Sequence, residues 1–212
     1  MASVRAGLIW AALVAAVVVP VAIAATSPLL AWRDTVYIAS GFAGMLALAL
    51  LLVQPLLAGG YLPGLAARAG RRVHRWAGLV LVAMVVAHVL GLWLTSAPDV
   101  IDALLFASPT PFSVWGVVAM WATFAAALLA TLRGRLRIQP KVWRVGHTGL
   151  AVVIVVGSVV HALLVEGSMG VVSKAAFCLV VLAATAKVVA DLRVWTLLTR
   201  RRSAAASQSG QP

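Results

Sequence analysis

Charge is scarce in this sequence, and negative charge scarcer still. Only 10% of the residues are charged, and five acids stand against 17 Lys and Arg. With 63% hydrophobic residues, a soluble globular class is excluded and an integral membrane protein is expected. Cysteine is almost missing. The single Cys178 excludes an internal disulfide and any Cys-pair metal site, and it reads as a small buried apolar residue. No glycine-rich phosphate loop follows a strand, and no alternating strand pattern exists, so the sequence carries no nucleotide-binding domain of its own.

What is abundant is long apolar runs. A helix needs about 20 apolar residues to cross a bilayer core. Six segments qualify: Ala6 to Thr26, Thr35 to Gly59, Val73 to Thr95, Phe112 to Leu132, Val145 to Val165, and Val171 to about Leu192. The positive charge is sorted by membrane side, which argues against nucleic acid as its partner. One side receives Arg5, Arg68, Arg71, Arg72, Arg75, Arg133, Arg135, Arg137, Lys141, Arg144, Arg193, Arg200, Arg201 and Arg202. The other receives Arg33 and Lys174 with Asp34, Asp99, Asp102 and Glu166. The bias predicts both termini in the cytoplasm. Lys174 is expected to reach outward and Lys187, in the last helix, to snorkel inward. The first segment has a basic start and an Ala-x-Ala ending, as a signal peptide does, but its apolar run is long and an uncleaved anchor is expected. In the external loop, "DVIDALLF" reads as a short interfacial helix capped by Asp99.

All four histidines sit in two apolar segments at one spacing: His74 and His88 in "HRWAGLVLVAMVVAH", His147 and His161 in "HTGLAVVIVVGSVVH". Fourteen helical residues advance about 21 Å and turn to within about 40° of whole turns, so both imidazoles of a segment leave one face but cannot share a metal. Both segments begin at basic loops and run in parallel. His74 then matches His147 in depth, and His88 matches His161. Two stacked His–His sites suit the axial positions of iron porphyrin. Gly78, Gly91, Gly149 and Gly157 lie near the ligands, where small residues let a porphyrin approach the backbone. Arg71, Arg72, Arg75, Lys141 and Arg144 surround the cytoplasmic level, where they can pair propionates or simply obey the positive-inside rule.

Six helices with H-x13-H on the third and fifth resemble the ferric reductase-like transmembrane domain family, over roughly Thr35 to Val194. Its relatives include NADPH oxidases, yeast-type ferric reductases and the haem membrane subunit of the bacterial methionine sulfoxide reductase system. The resemblance implies two b-type haems on His74, His88, His147 and His161 that pass electrons across the membrane. It also implies a stand-alone membrane module, an oxidoreductase component without its own flavin and NADPH domain. The residues midway between the sites, Leu81 and Ile154, are aliphatic where oxidases often place an aromatic; Phe124 or Trp121 can serve instead, or simply pack in the core.

The expected architecture is therefore all-α, a six-transmembrane-helix bundle holding two stacked b-type haems. Residues 1–34 form the first span and an external loop, 35–199 the haem-binding transmembrane domain, and 200–212 a disordered tail. The site residues are His74, His88, His147 and His161 as iron ligands, with Arg72, Arg75 and Arg144 beside the cofactor. No catalytic side chain is expected, because the chemistry belongs to the cofactor. The donor is a cytoplasmic reduced flavin or flavoprotein, and the acceptor is a metal chelate or a periplasmic enzyme. The location is the bacterial cytoplasmic membrane. One alternative is the haem subunit that serves a periplasmic methionine sulfoxide reductase. A different class is a transporter with a histidine proton relay.

Overall fold

The computed structural model describes residues 2–192, and among these residues every regular element is helical. Six helices are long and apolar enough to cross a membrane: α1 (Ala2–Ala25), α2 (Thr35–Ala58), α3 (Ala67–Thr95), α5 (Pro111–Leu132), α6 (Pro140–Leu164) and α7 (Val171–Asp191). A short α4 (Ala97–Leu104) lies between α3 and α5, and one 3-10 turn, Pro28–Leu30, between α1 and α2. The chain is an all-helical multi-pass membrane protein. The expected tail at 200–212, and with it Arg193, Arg200, Arg201 and Arg202, lies outside the described residues.

Local chemistry explains the boundaries. The Asp34 carboxylate caps α2, accepting from the Val36 (2.7 Å) and Tyr37 (3.3 Å) amides. α3 and α6 start about one and a half turns earlier than hydropathy predicts, at Ala67 and Pro140. "ARAGRR" is polar but built largely of good helix formers, and Pro140 takes the first helical position, where its missing N–H costs nothing. α4 corrects the expected cap. Ser96 occupies the N-cap position, and its hydroxyl donates to Asp99 at 2.5 Å, so Asp99 sits inside the first turn instead of preceding it.

Two helix pairs dominate the packing: α2 lies along α3, and α5 along α6. α7 packs against α6 and α2, and α1 leans mainly on α7. Small residues set the closest approaches. A Cβ on Gly91 of α3 would lie 2.5 Å from Ser40 Cβ of α2, and one on Gly157 of α6 would lie 3.0 Å from the Trp115 carbonyl of α5. These two glycines therefore serve helix contact, not room for a cofactor. Leu52, Cys178 and Val181 are the most deeply buried side chains of the centre, in keeping with the apolar reading of the lone cysteine.

The bundle has a basic end, where α3 and α6 begin, and an opposite end that carries Asp34, Asp99, Asp102 and Glu166. At the basic end Lys187 pairs with Asp191 (2.9 Å), whose carboxylate also accepts from the Tyr61 hydroxyl, tying the loop after α2 to α7. Lys187 thus turns as expected. Lys174 does not: it is buried, and its ammonium donates to the Val165 carbonyl at 2.6 Å instead of reaching outward.

Gly91→Ala should lower stability by about 1–3 kcal/mol through overpacking against Ser40, less up to about 1 kcal/mol regained in helix propensity. Gly41→Ala, whose Cβ meets nothing within 4 Å, should be neutral or stabilising. Thermal unfolding of both variants in detergent checks the contrast.

Candidate functional site

The four imidazoles meet in two pairs. The rings of His74 and His147 have centroids 6.3 Å apart and planes at 73°; those of His88 and His161 are 6.4 Å apart at 79°. Each pair joins equal depths of two parallel helices. Yet α3 and α6 hardly touch each other. Each packs on the span before it, and the imidazoles meet where the two helix pairs adjoin.

Each outer ring is held by its neighbouring helix. His88 Nδ1 lies 2.7 Å from the Ser40 carbonyl of α2, and His161 Nδ1 lies 2.9 Å from the Phe112 carbonyl of α5. An Nδ1–H donating there leaves Nε2 as the ring nitrogen with a free lone pair. One turn beyond each carbonyl stands a glycine. A Cβ on Gly44 would come within 2.9 Å of His88 Nδ1, and one on Gly116 within 2.7 Å of His161 Nδ1. These glycines, on helices that carry no histidine, went unnoticed in the sequence. Their signal was available: "SGFAG" and "FSVWG" place each four residues after the carbonyl-bearing residue.

The pair at the basic end is less evenly held. His74 Nδ1 faces the Gln54 carbonyl at 3.3 Å, with the Gln54 side-chain amide also alongside. His147 Nδ1 is buried without a partner, as is Trp143 Nε1. His147 is instead stacked on Trp143, centroids 5.2 Å apart and planes at 10°, and the Arg133 guanidinium covers the Trp143 ring at 4.3 Å.

The spacing has chemical content. Two imidazoles on opposite sides of one metal, with bonds of about 2.0 Å and ring centres about 1.15 Å behind each nitrogen, have centroids about 6.3 Å apart. Both pairs match that separation. Among the described residues no group of three or more His, Cys, Asp or Glu could hold a metal ion. The donors brought together at each level are two imidazoles, a set that would fit a porphyrin iron if one were bound.

Arg72, Arg75 and Arg144 lie exposed within one turn of His74 or His147, at the basic end. Of the four glycines near the ligands, Gly149 has open space beside it, whereas Gly78 faces the Gln54 amide at 3.0 Å. Leu81 and Ile154, the midpoints, are both buried in the central cluster. Trp121 is exposed on the outside of the bundle, edge-on to Phe124. It therefore cannot bridge the two levels.

The chain is an all-helical membrane bundle that pairs imidazoles at two depths. Residues 43–158 match the family described as ferric reductase like transmembrane component, more than half of the chain, and the chain belongs to that family. The match takes in His74, His88 and His147; His161 lies just beyond it. No curated protein and no solved structure matches the chain. Membership makes it a ferric-reductase-like oxidoreductase of the membrane, which suggests electron transfer across the bilayer.

Gly44→Ala and Gly116→Ala should push His88 and His161 off their carbonyls. Each should cost about 1–3 kcal/mol for a buried donor left unpaired. Gly149→Ala should leave all four rings in place. Imidazole N–H resonances of the nitrogen-labelled protein, with thermal unfolding, distinguish these outcomes.

Proposed function

We propose that this protein passes electrons across the membrane through two b-type haems, one on His74 and His147 and the other on His88 and His161. The observation that carries the reading is the separation of the paired imidazole centroids, 6.3 and 6.4 Å, met twice at two depths of the bundle. When bound, haem iron supplies reversible one-electron exchange. The chain supplies the rest. Backbone carbonyls of Ser40 and Phe112 fix tautomer and ring angle at the outer level. Leu81 and Ile154 keep water from the layer between the levels. Arg72, Arg75 and Arg144 offer guanidinium groups to propionates at the inner level.

The arginine-rich end is the cytoplasmic one in this reading, with both termini there and the chain in a bacterial cytoplasmic membrane. Electrons enter at that end from a reduced flavin or flavoprotein. They leave at the His88/His161 level to an external metal chelate or periplasmic enzyme.

The detergent-purified chain, expressed with ample haem, should give a low-spin b-type signal in a reduced-minus-oxidised spectrum. A colourless protein would sink the proposal. His88→Ala and His161→Ala should each remove the same haem, and the double variant should lose no more than either single. His74→Ala combined with His161→Ala should empty both sites. Haem content and spin state of the variant set read this directly; loss of different haems from His88→Ala and His161→Ala would overturn the pairing.

A further inference from the structure

Lys174 is the only buried charged side chain among the described residues. It enters from the first turn of α7, and its ammonium donates to the Val165 carbonyl at the end of α6. The Val165 N–H in turn donates to the His161 carbonyl at 3.0 Å. One helical turn, about 5.4 Å of rise, therefore separates the atom that holds Lys174 from the backbone of an outer ligand. Lys174 forms no ion pair among the described residues. Glu166, next to Val165, is exposed instead and lines a shallow outer pocket with Arg33 and Tyr37. The C-terminal end of α6, whose last carbonyls have no amide partner within the helix, supplies the acceptor for this side chain. A cation lodged there, out of water, acts on its surroundings with little screening.

The two histidine pairs differ in a way that makes such a cation useful. A hydrogen bond from Nδ1 to a carbonyl raises ligand basicity and favours the oxidised metal. The outer pair has two short ones, at 2.7 and 2.9 Å, whereas the inner pair has one at 3.3 Å and one ring with none. Axial ligation alone would leave the outer centre the harder to reduce, against the inside-to-outside direction. We propose that Lys174 is a positioning residue for the electron: its buried charge raises the reduction potential of the outer centre and offsets the effect of the two strong ligand hydrogen bonds. The inference rests on the two-haem reading. The transfer it favours is a single electron from ferrous inner iron to ferric outer iron, with no bond formed or broken.

The test is a spectroelectrochemical titration of the haem-loaded protein and of two variants. Lys174→Gln keeps a donor for the Val165 carbonyl but no charge; Lys174→Arg keeps the charge. Lys174→Gln should shift one of the two transitions at least tenfold toward the ferric form, which is about 59 mV for one electron, and leave the other in place. Lys174→Arg should stay within about threefold of the parent, a bound well inside that tenfold step. In the His74→Ala background, where the outer haem remains, the same shift should persist. Two unmoved transitions at full haem content overturn the tuning role while sparing the two-haem reading. Equal shifts in both variants, or loss of the outer haem from Lys174→Gln alone, overturn it in favour of packing or of haem retention. A colourless parent protein overturns the haem reading and this inference with it.

Discussion

A carbonyl inside a transmembrane helix already accepts one hydrogen bond from the amide four residues on, but it has a second lone pair. At Ser40 and Phe112 that lone pair faces an imidazole Nδ1. In hydrocarbon there is no water to satisfy a ring N–H, so the partner must come from protein. The carbonyl can be reached only if the residue one turn ahead has no side chain, and Gly44 and Gly116 meet that condition. The rest of the arrangement depends on this contact. It binds α3 to α2 and α6 to α5, fixes which ring nitrogen is free, and lets α3 and α6 stand apart with their rings still paired edge-on.

The contact also shows that the molecule is built twice. Ser40, Gly44 and His88 on α2 and α3 correspond to Phe112, Gly116 and His161 on α5 and α6, element for element. In sequence the repeat shows chiefly as equal histidine spacing, because the carbonyl-bearing residues, Ser40 and Phe112, are unlike in chemistry. A carbonyl belongs to every residue, so serine and phenylalanine can do the same work. The likeness lies in backbone geometry and in the absence of a Cβ, neither of which leaves a strong compositional trace.

That is also why legibility was uneven. Span number and order were plain, since a bilayer demands long apolar runs and the loops are short and polar. Histidine pairing was plain too, because helical rise and the sorting of arginines together fix depth. Helix starts were harder: the first turns of α3 and α6 are polar but helix-forming, and hydropathy does not register them. Gly91 and Gly157 were read as room for a cofactor and proved to be contacts between helices. Proximity in sequence to a histidine does not say which face of the helix a glycine occupies. Lys174 was read by its charge alone, although the end of α6, which receives it, lies nine residues away across a loop.

At the basic end the symmetry breaks, and the break follows from depth. Where α5 would offer a carbonyl to His147, as Gln54 of α2 does to His74, no bond forms. The ring is held by π-stacking on Trp143, itself covered by the Arg133 guanidinium. Stacking fixes the plane of an imidazole but supplies no acceptor for its N–H, so it orients the ring without making it more basic. Such an arrangement needs a cation and a long aromatic side by side, and both are at home where a span meets the interface, not at its centre. The two levels are thus built from different interactions because they sit at different distances from water. Two chemically unequal histidine pairs are a consequence of that placement, even though the four side chains are identical.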